Sequence, residues 1–136
     1  MVTERKLNRE EKAELDDARE GFELDVDGLP DVLEGLRMGA DDELLFRLGV
    51  WLGDRVAEET GWVWVYLQLG AGLEAPGLVS ADRGVCFLPL QAVAAAVEAH
   101  PDPWNPAPPA ILVMLSRLEA GDRPKGEPGS YALVTP

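Results

Sequence analysis

Between residues 41 and 69 the apolar period changes once, and that change commits the chain to a fold built from both helix and sheet. DDELLFRLGVWLGDRVAEET, residues 41–60, repeats Leu44, Leu45, Leu48, Leu52 and Val56 at helical spacing, with Asp41 placed to cap it and Gly61 to end it. WVWVYLQL, residues 62–69, then alternates Trp62, Trp64, Tyr66 and Gln68 on one side with Val63, Val65, Leu67 and Leu69 on the other. The polar residues of the helix, Glu43, Arg47, Asp54 and Glu58, fall on one narrow strip, so most of its surface is expected to be buried. Gly49 and Gly53 lie four apart on the apolar side, where a missing side chain allows another element to approach the backbone.

The same reasoning places the other elements. In NREEKAELDDARE, residues 8–20, Asn8 and Glu11 form a capping-box pattern, but the apolar stripe of Leu7, Leu15, Ala18 and Phe22 is thin. A peripheral helix with a tendency to fray is expected there. A second helix runs from about Pro30 through Leu33 and Leu36 to Gly39. GLVSA and VCFL, separated by Asp82, Arg83 and Gly84, read as a hairpin. PLQAVAAAVEAH starts a helix at Pro89, and AILVMLSRLEAG, equally apolar as strand or helix, is assigned to helix by its length and closing Gly121. PDPWNPAPP places five prolines in nine residues and is expected to cross in extended form, with Trp104 pinning it to the domain or, as the alternative, binding a partner; YALV is a candidate fourth, edge strand.

The fold class is therefore α+β: a small antiparallel sheet of three strands, with a candidate fourth, packed against several helices and preceded by an acidic helical region. With 136 residues, 46% of them hydrophobic, one domain is expected: residues 1–40 a peripheral acidic region, 41–120 the core, and 121–136 a Gly/Pro-rich tail.

Charge bounds the partners. Residues 1–60 carry 18 acidic and 8 basic residues, net −10 of the chain's −13, which opposes nucleic acid and anionic membranes and favours a basic protein partner. One cysteine, Cys86, excludes an internal disulfide and any cysteine zinc site, and its strand neighbours Val85 and Phe87 point to a buried, inert thiol. The opening twenty residues lack the apolar core of a signal peptide, and no apolar run approaches the roughly 20 residues needed to span a bilayer. A cytoplasmic protein without a cofactor is the expectation.

From Leu48 to Val97 the order LGVWLG, GWVW, VSADRG and a proline-started apolar helix resembles small uncharacterised bacterial proteins with an LGxxLG helix, a GxxW strand and a hairpin. The resemblance covers about half the chain and implies a fold type but no catalytic residues; some such domains look like immunity or accessory proteins.

Three sets of residues compete as sites. ELDVDGLPDVLE, residues 23–34, matches a twelve-residue calcium loop at Glu23, Asp25, Asp27, Gly28, Asp31 and Glu34. It departs from the pattern at Glu23, too long for the first position, and at Pro30, which cannot make the backbone bond that pairs two such loops. A turn leading into a proline-started helix accounts for the same residues without metal. The densest acidic surface, Asp16, Asp17, Glu20, Glu23, Asp25 and Asp27, is the candidate recognition surface for a basic partner, as in an inhibitor or immunity-like protein. The stripe Trp62, Trp64, Tyr66 is a second candidate surface, with core filling as its competing role. An alternative function, a small-molecule binder or small enzyme, would use a pocket lined by carboxylates such as Asp54 or Asp82. His100, the single histidine, has no evident pairing with Ser80, Ser116 or Ser130 and is read as capping or surface. No catalytic residue is assigned.

Overall fold

A computed structural model of the chain describes residues 2–99, 104 and 109–136. A short strand β1 (Thr3–Arg5) leads into α1 (Arg9–Arg19), and a 3-10 turn at Val26–Gly28 runs into α2 (Leu29–Met38). The central helix α3 (Asp42–Thr60) is followed by β2 (Val63–Gly70), β3 (Leu73–Val79), β4 (Val85–Phe87), α4 (Pro89–Glu98), α5 (Ala110–Glu119) and β5 (Ala132–Leu133). The five strands form one sheet in chain order. The first three pairings are antiparallel and β4–β5 is parallel.

The expected sheet of three antiparallel strands is thus corrected to a mixed sheet of five. YALV does supply an edge strand, but only through Ala132 and Leu133, and it runs parallel to β4. A parallel partner needs a long crossover, and α4 and α5 provide it. The strand β1 carried no apolar alternation to announce it. It exists because Thr3, Glu4 and Arg5 find Gln68, Leu67 and Tyr66 on the open edge of β2. The β2–β3 hairpin turns through Gly70, Ala71 and Gly72, all at positive φ, and extends β3 back to Leu73.

Local sequence explains the helix ends. The Asn8 side chain accepts from the Glu11 N–H while Glu11 accepts from the Asn8 N–H, closing the capping box. Asp41 caps α3 by accepting from Leu44 N–H, and Gly61 ends it at φ 78°. The region 110–119 is helical, with Ile111, Met114, Leu115 and Leu118 buried. The thin stripe on α1 holds better than expected. Leu7, Leu15 and Ala18 are buried against Val50 of α3, with Phe46, Trp64 and Tyr66 around them.

The sheet has two differently built faces. Toward the helices lies the main core, where Leu48, Leu52 and Val56 of α3 meet Leu78, Phe87, Val93, Ile111 and Leu115. The glycines of α3 let this face close. A methyl group at Gly49 would overlap the Leu90 side chain, and one at Gly53 would overlap the Trp64 ring. On the opposite face a smaller cluster of Val65, Leu67, Ala75, Val79, Cys86 and Leu88 is packed by Val2, Leu69 and Tyr131.

Candidate functional site

The acidic surface expected from sequence is divided between two places. Asp16, Asp17 and Glu20 sit at the end of α1, and all are exposed. Asp16 pairs with Arg19 at 2.8 Å, one turn on. The Glu20 carbonyl accepts from Arg47 Nη1 at 3.3 Å, tying the end of α1 to α3. Glu23, Asp25 and Asp27 lie beyond, exposed on the segment that leads to α2. That segment is fixed by apolar contacts and backbone bonds: Trp51 Nε1 donates to the Leu24 carbonyl at 3.1 Å, and Leu29 is fully buried.

The calcium candidate takes a different shape from a metal loop. Gly28 N–H donates to the Asp25 carbonyl in the 3-10 turn, and α2 begins at once at Leu29, the seventh position, whose carbonyl would have to face a metal. Asp31 lies in the first turn of α2, where it complements the helix dipole, and Glu34 pairs with Arg37 at 3.2 Å. Among the described residues no three His, Cys, Asp or Glu side chains are grouped so that they could hold a metal ion.

The feature that the sequence did not reveal is a groove where α1 crosses the start of α3. Glu14, Asp17 and Ala18 of α1 and Glu43, Phe46 and Arg47 of α3 line an open cavity of about 330 Å³. Three acidic residues and one arginine share this lining, and Arg47 is already engaged by Glu43 at 3.3 Å and by the Glu20 carbonyl. Phe46 supplies an apolar wall. Of the six acids named from sequence, only Asp17 reaches this groove; Glu14 and Glu43 belong to elements whose crossing no local pattern reveals.

The carboxylates considered for catalysis have structural partners. Asp54 takes a bidentate contact from Arg19, 2.7 Å to Nε and 2.9 Å to Nη2, and accepts from Trp64 Nε1 at 3.0 Å. It joins α1, α3 and β2 in one cluster and raises the Arg19 guanidinium pKa above its ordinary value. Asp82 accepts from Gly84 N–H at 2.8 Å and from Ser80 Oγ at 2.9 Å, and these donors, the backbone one foremost, hold its pKa below the usual carboxylate range. Both fix turns and packing in the way short polar side chains commonly do.

The aromatic stripe turns toward helices. Trp62 is buried in the main core, Trp64 is half-buried across Gly53, and Tyr66 is half-buried with Arg5 stacked 4.0 Å from its ring centre. Cys86 is fully buried, its thiol donating to the Tyr131 carbonyl at 3.3 Å and its pKa pushed up by burial. His100 lies outside the described residues, as does most of the proline-rich crossover; Trp104 is exposed.

A second charged cluster, also unseen in the sequence, spans the face of the sheet turned from the helices. Arg83 Nε and Nη2 donate to the two Glu4 oxygens at 2.6 and 3.2 Å, and the Tyr131 hydroxyl donates to Glu4 Oε1 at 2.6 Å. Arg83 holds the Glu4 carboxyl below its ordinary pKa, and Glu4 in turn keeps the Tyr131 phenol protonated to higher pH. No helix among the described residues is long and apolar enough to cross a membrane. No family model, no curated protein and no solved structure matches the chain, so its function has to be read from the residues themselves.

Proposed function

We propose that this domain binds another protein through its acidic N-terminal half, with the groove between α1 and α3 receiving a lysine or arginine side chain from a basic partner. The observation that supports this most directly is the lining of the groove: Glu14, Asp17 and Glu43 gather around the apolar wall of Phe46, with Arg47 already engaged. A long basic side chain suits such a place because its methylenes lie along the aromatic ring while its charged end meets the carboxylates. Asp16, Glu20, Glu23, Asp25 and Asp27 extend the negative field around it and steer a basic surface toward the groove. A role of this kind is non-enzymatic and inhibitor-like or immunity-like: occupying a basic site on a partner is sufficient to block it.

The test pairs two triple variants. Partners are first captured from source cells at low salt and identified by their loss at high salt, because exposed charge pairs are screened within about 10 Å at 0.1 M salt. The groove variant E14Q/D17N/E43Q is then compared with E23Q/D25N/D27N for association rate and salt dependence. The groove variant is expected to bind more slowly and with a flatter salt slope than the second, with an unchanged melting temperature in both. Equal behaviour of the two variants would remove the groove from the recognition surface.

A further inference from the structure

We infer that residues 126–134 form a strap that opens as a unit while the rest of the sheet stays folded, and that the Glu4–Arg83–Tyr131 cluster is its clasp. The segment lies along the outer edge of β4 and the turn before it. Gly129 N–H donates to the Asp82 carbonyl, Tyr131 N–H to Arg83, Ala132 N–H to Gly84 and Val134 N–H to Cys86, all at 2.9–3.0 Å. Its own apolar anchoring is slight. Ala132 and Leu133 are exposed; of the side chains only Tyr131 and Val134 are half-buried, Val134 against the main core, and Gly126 lies close against the Gly84 backbone. A segment held mainly by edge hydrogen bonds, with few buried side chains, belongs to the low-stability end of a fold.

The clasp counteracts that weakness, under strain. Arg83 and Tyr131 both have left-handed backbones, with φ of 56° and 50°, a conformation unfavourable for residues that carry a Cβ. Among the described residues three other than glycine have positive φ, and two of them belong to this one cluster. Strain of this sort persists only where surrounding contacts over-determine it, and here the contacts to Glu4 join the bonds of Arg83 to the Ser80 and Ala81 carbonyls and of the Tyr131 N–H to Arg83. Glu4 lies on β1, at the far edge of the sheet from β5, so the clasp reaches from one edge to the other. Breaking it removes a contact from both strained residues at once. It also frees the Tyr131 ring from the cluster of Val65, Leu67, Val79 and Cys86, and uncovers the Cys86 thiol.

Cys86, as the chain's single cysteine, reports this opening without engineered probes. The full chain is labelled with a thiol-reactive disulfide reagent across low urea concentrations, alongside global unfolding followed by circular dichroism. Wild-type labelling is expected to depend on urea much less steeply than global unfolding, and Tyr131→Phe to accelerate labelling about tenfold at low urea while keeping that shallow dependence. Glu4→Gln, which preserves size, is expected to act in the same direction. Labelling that follows global unfolding with its full urea dependence in wild type would overturn the inference. So would labelling at low urea in Tyr131→Phe and Glu4→Gln that is no faster than in wild type.

Discussion

The two faces of the sheet bury side chains equally well and by different means. Leu52 beneath the helical face and Leu67 beneath the opposite face are both fully buried. Around Leu52 stand whole helices whose own cores and caps hold them in place. Leu67 is packed in the cluster that the Tyr131 ring covers, and that ring is held by its hydroxyl contact to Glu4 and by the edge bonds of its segment to Arg83 and Gly84. Equal burial therefore does not mean equal resistance to opening. Rigidity follows from what holds the covering group, and an amphipathic helix is held by many contacts where an edge segment is held by few.

Matched deletions test that contrast most severely. Leu52→Ala is expected to cost about 4–5 kcal/mol and Leu67→Ala about 2–3 kcal/mol, because a cavity under a movable strap collapses further than one among packed helices. Urea titration of both variants decides it, and equal losses would show that the strap is as firm as the helices. A subtler probe concerns how tightly the helical face is closed. Gly53→Ala is expected to cost about 1–3 kcal/mol despite alanine's better helix propensity, since the Trp64 ring in its way is pinned through Nε1 to Asp54. Unchanged or higher stability would mean that the ring yields.

The smallest effect belongs to the clasp. Glu4 titrates below the ordinary value of 4.5 in the folded chain, chiefly because Arg83 hydrogen-bonds its charged form. A depressed carboxylate stabilises above its unfolded pKa, and that stability is lost as pH falls through the folded value. Stability should accordingly decline more steeply below pH 4.5 in wild type than in Glu4→Gln. Parallel acid limbs in the two proteins would show that Glu4 contributes nothing to the pH dependence. Glu11, held down by Arg5, and Asp82 give both proteins a shared acid limb, so the difference between them is the informative quantity.

Local chemistry was enough to place α1 to α4, because each carries its own period and end signals: Asn8 with Glu11, Pro30 and Gly39, Asp41 and Gly61, Pro89; α5, equally apolar as strand or helix, rested only on its length and Gly121. The closeness forced on Gly49 and Gly53 was legible for the same reason, since two glycines on the apolar side of a helix leave a gap that a neighbouring element has to fill. The acidity of residues 1–60 could also be read directly. Other features depended on partners remote in the chain. Thr3–Arg5 became a strand only because β2 had an open edge, and Ala132–Leu133 ran parallel only because two helices carried the chain across. Asp54 looked like a solvated strip residue until Arg19, 35 positions away, and Trp64 closed on it. The groove of Glu14, Asp17 and Glu43 and the clasp of Glu4, Arg83 and Tyr131 likewise join residues separated by tens of positions. Periodicity and capping are properties of neighbouring residues, whereas a groove or a clasp depends on how distant elements cross, and that crossing is set by the packing of the whole core.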